Sequence, residues 1–548
     1  MGIKYFFSWF NKNFSEHISY DRKTVDCLLM DLNGIFHTAA QQAFQYGNFK
    51  GIKPLLNRKN QETYTAKKNK FFKLVTDKIE QVIDAVQPIK QVVMCIDGVA
   101  PMSKQNQQRQ RRYKSSLAKP DSFDPNSITP GTKLMDQLSK YIDFWLRCKI
   151  TNDSYYSNLK FTFSNEKVRG EGEHKLLDYV RSNIGMSYCM HGMDADLFML
   201  GLVSNAEKFY IFRESHTNVE DTFWIDITSF ETVLQQYLFW FSQEHEYDNR
   251  NAILDFVFIC FAVGNDFLPN LPTAEILDGG IEKIFNIYRN IGVYHGHLVK
   301  NTEGGVRLSP IACSSFFKEL GKQEEDYLDH KLNTPAKFPY KILQDCSTSY
   351  SDGTHKVKYS LFKDTYYAKY FPGMNRGQIC DEYINGLQWV IEYYTSGVPS
   401  WKWYFPYSTS PFASDIADCF LKYEHHKFST RGSRENPAFI QLLCVLPPNS
   451  KDLLPPPLNS IFTTMKKYYP DNFEVDYSGK RNEWEGIPLL PMLDVEKIEE
   501  VYNTLLSSVD LKEVKRNYRG KSYEYTYTRN EYQYKSYYGT ITSKCLVI

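Results

Sequence analysis

The run CLLMD, Cys27–Asp31, followed at once by Leu-Asn-Gly, decides the fold class. Apolar except for its last residue, too short for a helix and bounded by a turn, it reads as a strand buried on both faces, the pattern of a parallel sheet. Three further runs end on aspartate in the same way: VVMCID (Val92–Asp97, then Gly98), YCMHGMDAD (Tyr188–Asp196) and FVFICFAVGND (Phe256–Asp266). Helical stretches such as Phe71–Val86 and Lys133–Leu146 give the first part of the chain a β-α-β rhythm. The expected class is therefore α/β, with a mostly parallel central sheet and flanking helices. Open sheets of this kind bind ligands at the carboxyl ends of their strands. Asp31, Asp97, Asp194, Asp196 and Asp266 would then share one crevice, and such crowding calls for cations to neutralise it.

GEGEHK (Gly170–Lys175) adds Glu171 and Glu173 where a loop enters the helix running on to Val180. Alone, two glutamates in a first turn only complement the helix dipole. Beside the five aspartates they make a set of seven, enough to hold two divalent cations about 3.5–4 Å apart for phosphoryl transfer. The D-x-D pair, Asp194 and Asp196, is expected on one side of an extended segment.

A basic run follows Asp97 directly. From Pro101 to Pro120 it carries Lys104, Arg109, Arg111, Arg112, Lys114 and Lys119 and no acid. Lys104, Gln108, Arg111 and Arg112 stand at i, i+4, i+7 and i+8, one face of a helix, and suit a terminal phosphate. A solvated basic face or a nuclear-import tract is the alternative, and adjacency to the acids favours the phosphate. His37 could stack on a base or be an ordinary helix residue. Trp401 and Trp403, in an aromatic cluster over Gly397–Ile416, could be core or a stacking platform.

The whole chain sets bounds on these readings. It has 548 residues, with 65 Lys and Arg against 64 Asp and Glu, so any nucleic-acid footprint must be local. Its 11 cysteines are scattered with no C-x-x-C pair, which fits a reducing compartment and argues against structural zinc. No stretch approaches a membrane span and the opening MGIKYFFSWF does not read as a signal peptide, so an intracellular, cytoplasmic protein is expected, with the nucleus as the other option. Residues 1–300 read as a catalytic region and 301–365 as a connector, with a loop over Ser347–Lys356 and helix around Phe316–Leu328. Residues 366–548 read as a second, aromatic- and Pro-rich α+β region with a Tyr-rich tail from Tyr518 to Tyr538. The ending Cys545-Leu-Val-Ile matches C-a-a-X; an unmodified tail is expected, with a weak prenyl anchor at Cys545 as the alternative.

Taken in order, LLMDLNGIFH, CIDGVAPMSKQNQQRQRR, GEGEHK, GMDADLFMLGL and VGNDFLPNLP closely resemble the first conserved region of the XRN 5′-to-3′ exoribonucleases. GLQWVIEYY (Gly386–Tyr394), GVPSWKWYFPYSTSPFASDI, NEWEGIPLLPML (Asn482–Leu493) and KRNYRGK (Lys515–Lys521) resemble the second. The resemblance implies a PIN/flap-nuclease-like core with the second region capping its site. The implied enzyme is processive and Mg²⁺-dependent, with Mn²⁺ able to substitute, and takes single-stranded RNA with a 5′-monophosphate to mononucleotides. By motif position it assigns Asp31, Asp97, Glu171, Glu173, Asp194, Asp196 and Asp266 to metals and Lys104, Gln108, Arg111 and Arg112 to the 5′-phosphate. His37 and one tryptophan of SWKW become base-stacking groups, without a choice between Trp401 and Trp403. A monomer supplied by a separate decapping activity is the expected setting. Two departures flank the site: Arg169 where proline is usual before GEGEHK, and Met102-Ser103 where Arg-Ala is common. The sequence also stops after the second region, without the long carboxyl-terminal extensions of larger members. A flap-endonuclease-type DNA enzyme and a catalytically inactive RNA-binding scaffold are the alternatives; the second region argues against the first and the complete set of acids against the other.

Overall fold

A computed structural model describes residues 3, 5–49, 63–117, 123–214, 221–274, 280–425, 428 and 433–548; Lys119 of the basic run lies outside them. A nine-stranded sheet organises the fold. Its strands are β1 (Ile18–Ser19), β2 (Cys27–Asp31), β3 (Gln91–Cys95), β4 (Lys160–Ser164), β5 (Ser187–His191), β6 (Lys208–Glu214), β7 (Thr222–Asp226), β8 (Tyr523–Ser536) and β9 (Gly539–Val547). They run in the order β1-β7-β6-β5-β2-β3-β4-β8-β9. The five central strands, β6 to β4, are parallel, and the outer pairings are antiparallel. Alternate residues enter opposite cores: Cys27 and Leu29 pack in one cluster, Leu28 and Met30 in the other. That two-sided burial is why the strands read as unbroken apolar runs.

From β2 the chain steps outward to β3 and β4, and from β5 outward the other way to β6. The order therefore reverses between β2 and β5, and the crevice of the open sheet lies beyond their carboxyl ends. Asp31 closes β2, Asp97 stands two residues past β3, and Asp194 and Asp196 follow β5.

The structure corrects three local readings. FVFICFAVGND is not a strand: residues Asn249–Phe261 form a helix, and every residue from Ala252 to Phe261 is buried. A helix enclosed on all sides loses its 3.6-residue polarity pattern, so an apolar run of this length cannot be told from a buried strand. The D-x-D pair is not extended either, because Asp196 opens the Asp196–Val203 helix while Asp194 precedes it in a loop. The Ser347–Lys356 stretch is a small hairpin, Ser347–Ser349 against His355–Val357.

Elements from the second half pack against the first. The Arg376–Ser396 helix is buried along most of its length. A third core cluster joins Phe439–Leu446, Tyr468, Tyr469 and Tyr502 to Met102, the first residue of the basic helix. The Tyr-rich tail supplies β8, which pairs with β4, and β9 follows it on the outer edge. There Tyr525 and Tyr534 donate to the two oxygens of Asp143, at 2.7 and 2.5 Å. No helix among the described residues is long and apolar enough to cross a membrane.

Candidate active site

The seven carboxylates gather at the strand ends in three groups. Glu173, Asp194 and Asp196 have oxygens within 4.8 Å of one another. Glu173 comes from the first turn of the Gly172–Ser182 helix, and both it and Asp196 are buried. Asp31 and Asp97 flank Gly172: its N–H donates to Asp97 Oδ1 at 2.6 Å, and a Cβ there would lie 2.5 Å from Asp31 Oδ1. Only glycine lets the two side chains close on that backbone. Glu171 and Asp266 are bridged by the buried ammonium of Lys104, which contacts Glu171 Oε2 and lies 2.9 Å from Asp266 Oδ2. Asp266 reaches the crevice from a tight turn, in which Asn265 Oδ1 accepts from the N–H groups of Phe267 and Leu268 at 2.8 and 2.9 Å.

The electrostatics follow from this crowding. Burial, with the Asp97 charge, raises the Asp31 carboxyl well above the usual range. Burial, with Asp196, does the same for Glu173. Asp196 is pushed up to about 7, by burial first and then by Asp194 and Asp266. Burial alone would lower Lys104, but Asp266 and Glu171 hold it well above its normal value. Asp196 Oδ1 is buried without a hydrogen-bond partner among the described residues. A buried, unpartnered acceptor in an all-oxygen donor set fits a small hard divalent cation.

The basic run forms the Met102–Ser116 helix, and its two sides do different things. Arg109 and Lys114 hold the second region: Arg109 donates to the carbonyls of Pro491 and Tyr468 at 2.8 and 2.7 Å, Lys114 to Gly486 at 2.8 Å. Lys104, Gln108, Arg111 and Arg112 lie on the other side. Arg111 is exposed, and Arg112 Nη1 is buried without a partner among the described residues. Burial, then the neighbouring Arg111, pushes Arg112 down to about 9. His37, on the Asn33–Phe44 helix after β2, has an accessible side chain. Crowding by neighbouring atoms, then the charges of Arg111 and Arg112, push its imidazole down to about 4. The two tryptophans part. Trp403 stacks on Trp389 at 5.4 Å and packs against the main core, whereas Trp401 lies under the Arg169 guanidinium, 5.4 Å from its ring centroid.

Tyr393, of the Arg376–Ser396 helix, was not among the sequence candidates. Its hydroxyl donates to Glu171 Oε1 at 2.7 Å, and its ring stacks on His174 at 3.6 Å. The pair of tyrosines in GLQWVIEYY was its only sequence signal.

A parallel α/β sheet with acids at its switch point, covered by a helical second region, defines a PIN-like nuclease fold. Residues 1–215 match the family model of the XRN 5′-3′ exonuclease N-terminus, and residues 246–360 and 331–545 match that of the Xrn1 helical domain. The chain belongs to the XRN family. Its relatives include 5′-3′ exoribonuclease 1 of Schizosaccharomyces pombe, 26% identical over 94% of this chain and 49% of the relative. Human 5′-3′ exoribonuclease 1 is 28% identical over 98% of this chain and 36% of its own length. The 5′-3′ exoribonuclease 2 homolog of Drosophila melanogaster is 27% identical over 91% and 68%. The chain thus spans half or less of the two exoribonuclease 1 relatives.

Proposed function

We propose that the protein is a divalent-metal-dependent, processive 5′-to-3′ exoribonuclease acting on single-stranded RNA with a 5′-monophosphate. The observation that carries the reading is the juxtaposition of the acidic crevice with the free side of the basic helix, whose Lys104 already touches two of the acids. Family membership and the names of the relatives support the same direction of attack. Residues 1–300 would carry the chemistry and residues 366–548 would cover it.

Asp31, Asp97, Glu171, Glu173, Asp194, Asp196 and Asp266 would hold two Mg²⁺ ions, with Mn²⁺ as a substitute. When bound, such ions supply Lewis-acid polarisation of the scissile phosphate and a nucleophilic water. The chain's own residues orient the strand. Lys104, Gln108, Arg111 and Arg112 would take the terminal phosphate. His37 and Trp401 would stack the first bases, a contact indifferent to base identity. A cap or triphosphate would be excluded by bulk and a 5′-hydroxyl bound poorly for want of charge, so a separate decapping activity would supply substrate. A cytoplasmic monomer fits this role.

The test is end-labelled RNA bearing 5′-monophosphate, 5′-hydroxyl, 5′-triphosphate or cap, alongside flap DNA, incubated with the protein in Mg²⁺. Mononucleotides released from the monophosphate substrate alone are expected. Equal rates on hydroxyl and monophosphate ends, or cleavage of the flap, would overturn the reading.

A further inference from the structure

Just outside the acidic crevice the structure holds two arginines on one buried carboxylate. Arg169 Nη1 lies 3.2 Å from Glu435 Oε2 and Arg519 Nε 2.6 Å from Glu435 Oε1. Both arginine side chains are 58% exposed, while that of Glu435 is 3% exposed. The three come from distant parts of the sequence and are brought together by backbone. Gly520 N–H donates to the Lys167 carbonyl at 3.0 Å, and a Cβ on Gly520 would sit 2.9 Å from Lys167 Cβ, so the two segments run in close contact.

This cluster adjoins the site on both sides. Gly170, next to Arg169, exchanges backbone hydrogen bonds with the strand-end segment: Gly98 N–H to Gly170 O at 2.8 Å and Gly170 N–H to Val99 O at 2.9 Å. Glu171 follows immediately. The Arg169 guanidinium also lies over the Trp401 ring, and the Trp401 carbonyl accepts from Met102 N–H, the start of the basic helix, at 3.0 Å.

A structural bridge would need one cation for one carboxylate. Here two guanidinium groups share the single Glu435 carboxylate, so this trio carries one more cation than anion. Each guanidinium has five N–H donors in a planar fork, and each directs one nitrogen to Glu435. The buried Glu435 fixes one nitrogen of each guanidinium, and a planar fork held in place with its other donors in water suits a phosphodiester. Resting on the exoribonuclease reading above, we infer that Arg169 and Arg519, braced by Glu435, form a second anion site. It binds the sugar-phosphate backbone of single-stranded RNA downstream of the terminal nucleotide, and Arg169 supports a base stacked at Trp401. It is separate from the pocket of Gln108, Arg111 and Arg112, and it takes internal phosphates, so it serves strand retention and not end selection.

The experiment is equilibrium binding of labelled single-stranded RNA by fluorescence anisotropy in Ca²⁺, with strand integrity checked on a gel, over a salt series. RNA with a 5′-hydroxyl and RNA with a 5′-monophosphate are compared. For single strands each phosphate contact contributes about 0.7 to the slope of log affinity against log salt. Arg169→Gln and Arg519→Gln should each lower that slope by about 0.7, equally for both ends and irrespective of sequence. Each single variant leaves Glu435 one partner; the triple variant R169Q/R519Q/E435Q, which buries no unpaired charge, should lower the slope by about 1.4. Arg111→Gln should instead reduce the preference for monophosphate. Unchanged slopes in all three arginine-site variants, with wild-type RNA binding intact, would overturn this inference alone. Absence of RNA binding by the wild-type protein, or no loss of monophosphate preference in Arg111→Gln, would overturn the functional reading on which it rests.

Discussion

The Tyr393 hydroxyl donates to Glu171 Oε1 at 2.7 Å while Lys104 contacts the other oxygen of the same carboxylate, so Glu171 is held from both sides. One holder belongs to the basic helix and the other to the second region. Tyr393→Phe keeps the stack on His174 and removes only the donor, leaving a buried carboxylate oxygen unmatched. A loss of about 1–3 kcal/mol in stability is expected, together with a tenfold to hundredfold weaker affinity for Mn²⁺, as for other residues that orient a ligand. Calorimetric titration with Mn²⁺ checks this. An affinity equal to wild type, with Glu171→Gln clearly weakened, would show that the tyrosine does not orient the glutamate.

Gly172 offers a sharper steric test. A methyl group there would lie 2.5 Å from Asp31 Oδ1 and 3.4 Å from Asp97 Oδ1. Gly172→Ala must therefore displace Asp31, at about 1–3 kcal/mol for the overpacking and on the order of 10²-fold in turnover if Asp31 serves the reaction. Gly34→Ala is the control, since its Cβ meets nothing within 4 Å. Near wild-type turnover in Gly172→Ala would remove Asp31 from the catalytic set.

The contrast between these positions and those misread from sequence has a physical basis. Strand-end aspartates after β2 and β3 were legible because short apolar runs closed by a turn have few alternatives. Asp266 was identified as a crevice residue through a wrong intermediate, since the run before it is a helix enclosed on every side and carries no polarity period. Helical spacing in the sequence put Arg112, but not Arg109, on the face with Lys104, Gln108 and Arg111. Which face of the helix meets the second region depends on Pro491 and Tyr468, about 360 residues and more away. Tyr393 was illegible for the same reason, because a buried hydroxyl announces itself only through its partner.

Asp196 makes the metal-free protein sensitive to pH. Burial first, then Asp194 and Asp266, raise its carboxyl to about 7, far above the ordinary aspartate value. Between these values the folded state keeps a proton that the unfolded chain has lost. Stability without metal should then fall as pH rises through that window and level off above it. A divalent cation stands in for the proton, so the gain in melting temperature on adding Mg²⁺ or Mn²⁺ should be larger at about pH 8 than at about pH 5.5. Asp196→Asn should flatten the difference. Equal gains at both pH values in the wild-type protein would count against cation binding at this carboxylate.

Cys545, the residue a C-a-a-X modification would lipidate, is 3% exposed and lies in β9 opposite Tyr527. Burial also pushes its thiol up to about 11, so little of it is in the reactive thiolate form at neutral pH. A prenyl group would require β9 to leave the sheet. The expected outcome is an unmodified terminus by intact mass, with Cys545 alkylated only after denaturation. A mass increment of a prenyl chain on protein from its natural host would contradict this.

The two tryptophans of SWKW should separate stability from strand handling. Trp403 stacks on Trp389 at an interplanar angle of 28°, and a Cβ on Gly386 would lie 2.9 Å from its ring, so it fills a shaped gap in the core. Trp403→Ala should destabilise the fold by roughly 3 kcal/mol and lower activity on every substrate together. Trp401 has Arg169 over its ring and contributes to no core cluster among the described residues. Trp401→Ala should leave the melting temperature nearly unchanged. It should forfeit about 1–3 kcal/mol of base stacking, and Trp401→Phe should recover part of that. Because the strand must be held while it advances past a duplex, the Trp401→Ala defect should be larger on a hairpin-containing RNA than on an unstructured one of equal length. His37→Ala should behave in the same way. Wild-type digestion of the hairpin by both Trp401→Ala and His37→Ala would place the stacking platform elsewhere. A hairpin-specific defect in Trp403→Ala at an unaltered melting temperature would exchange the roles of the two tryptophans.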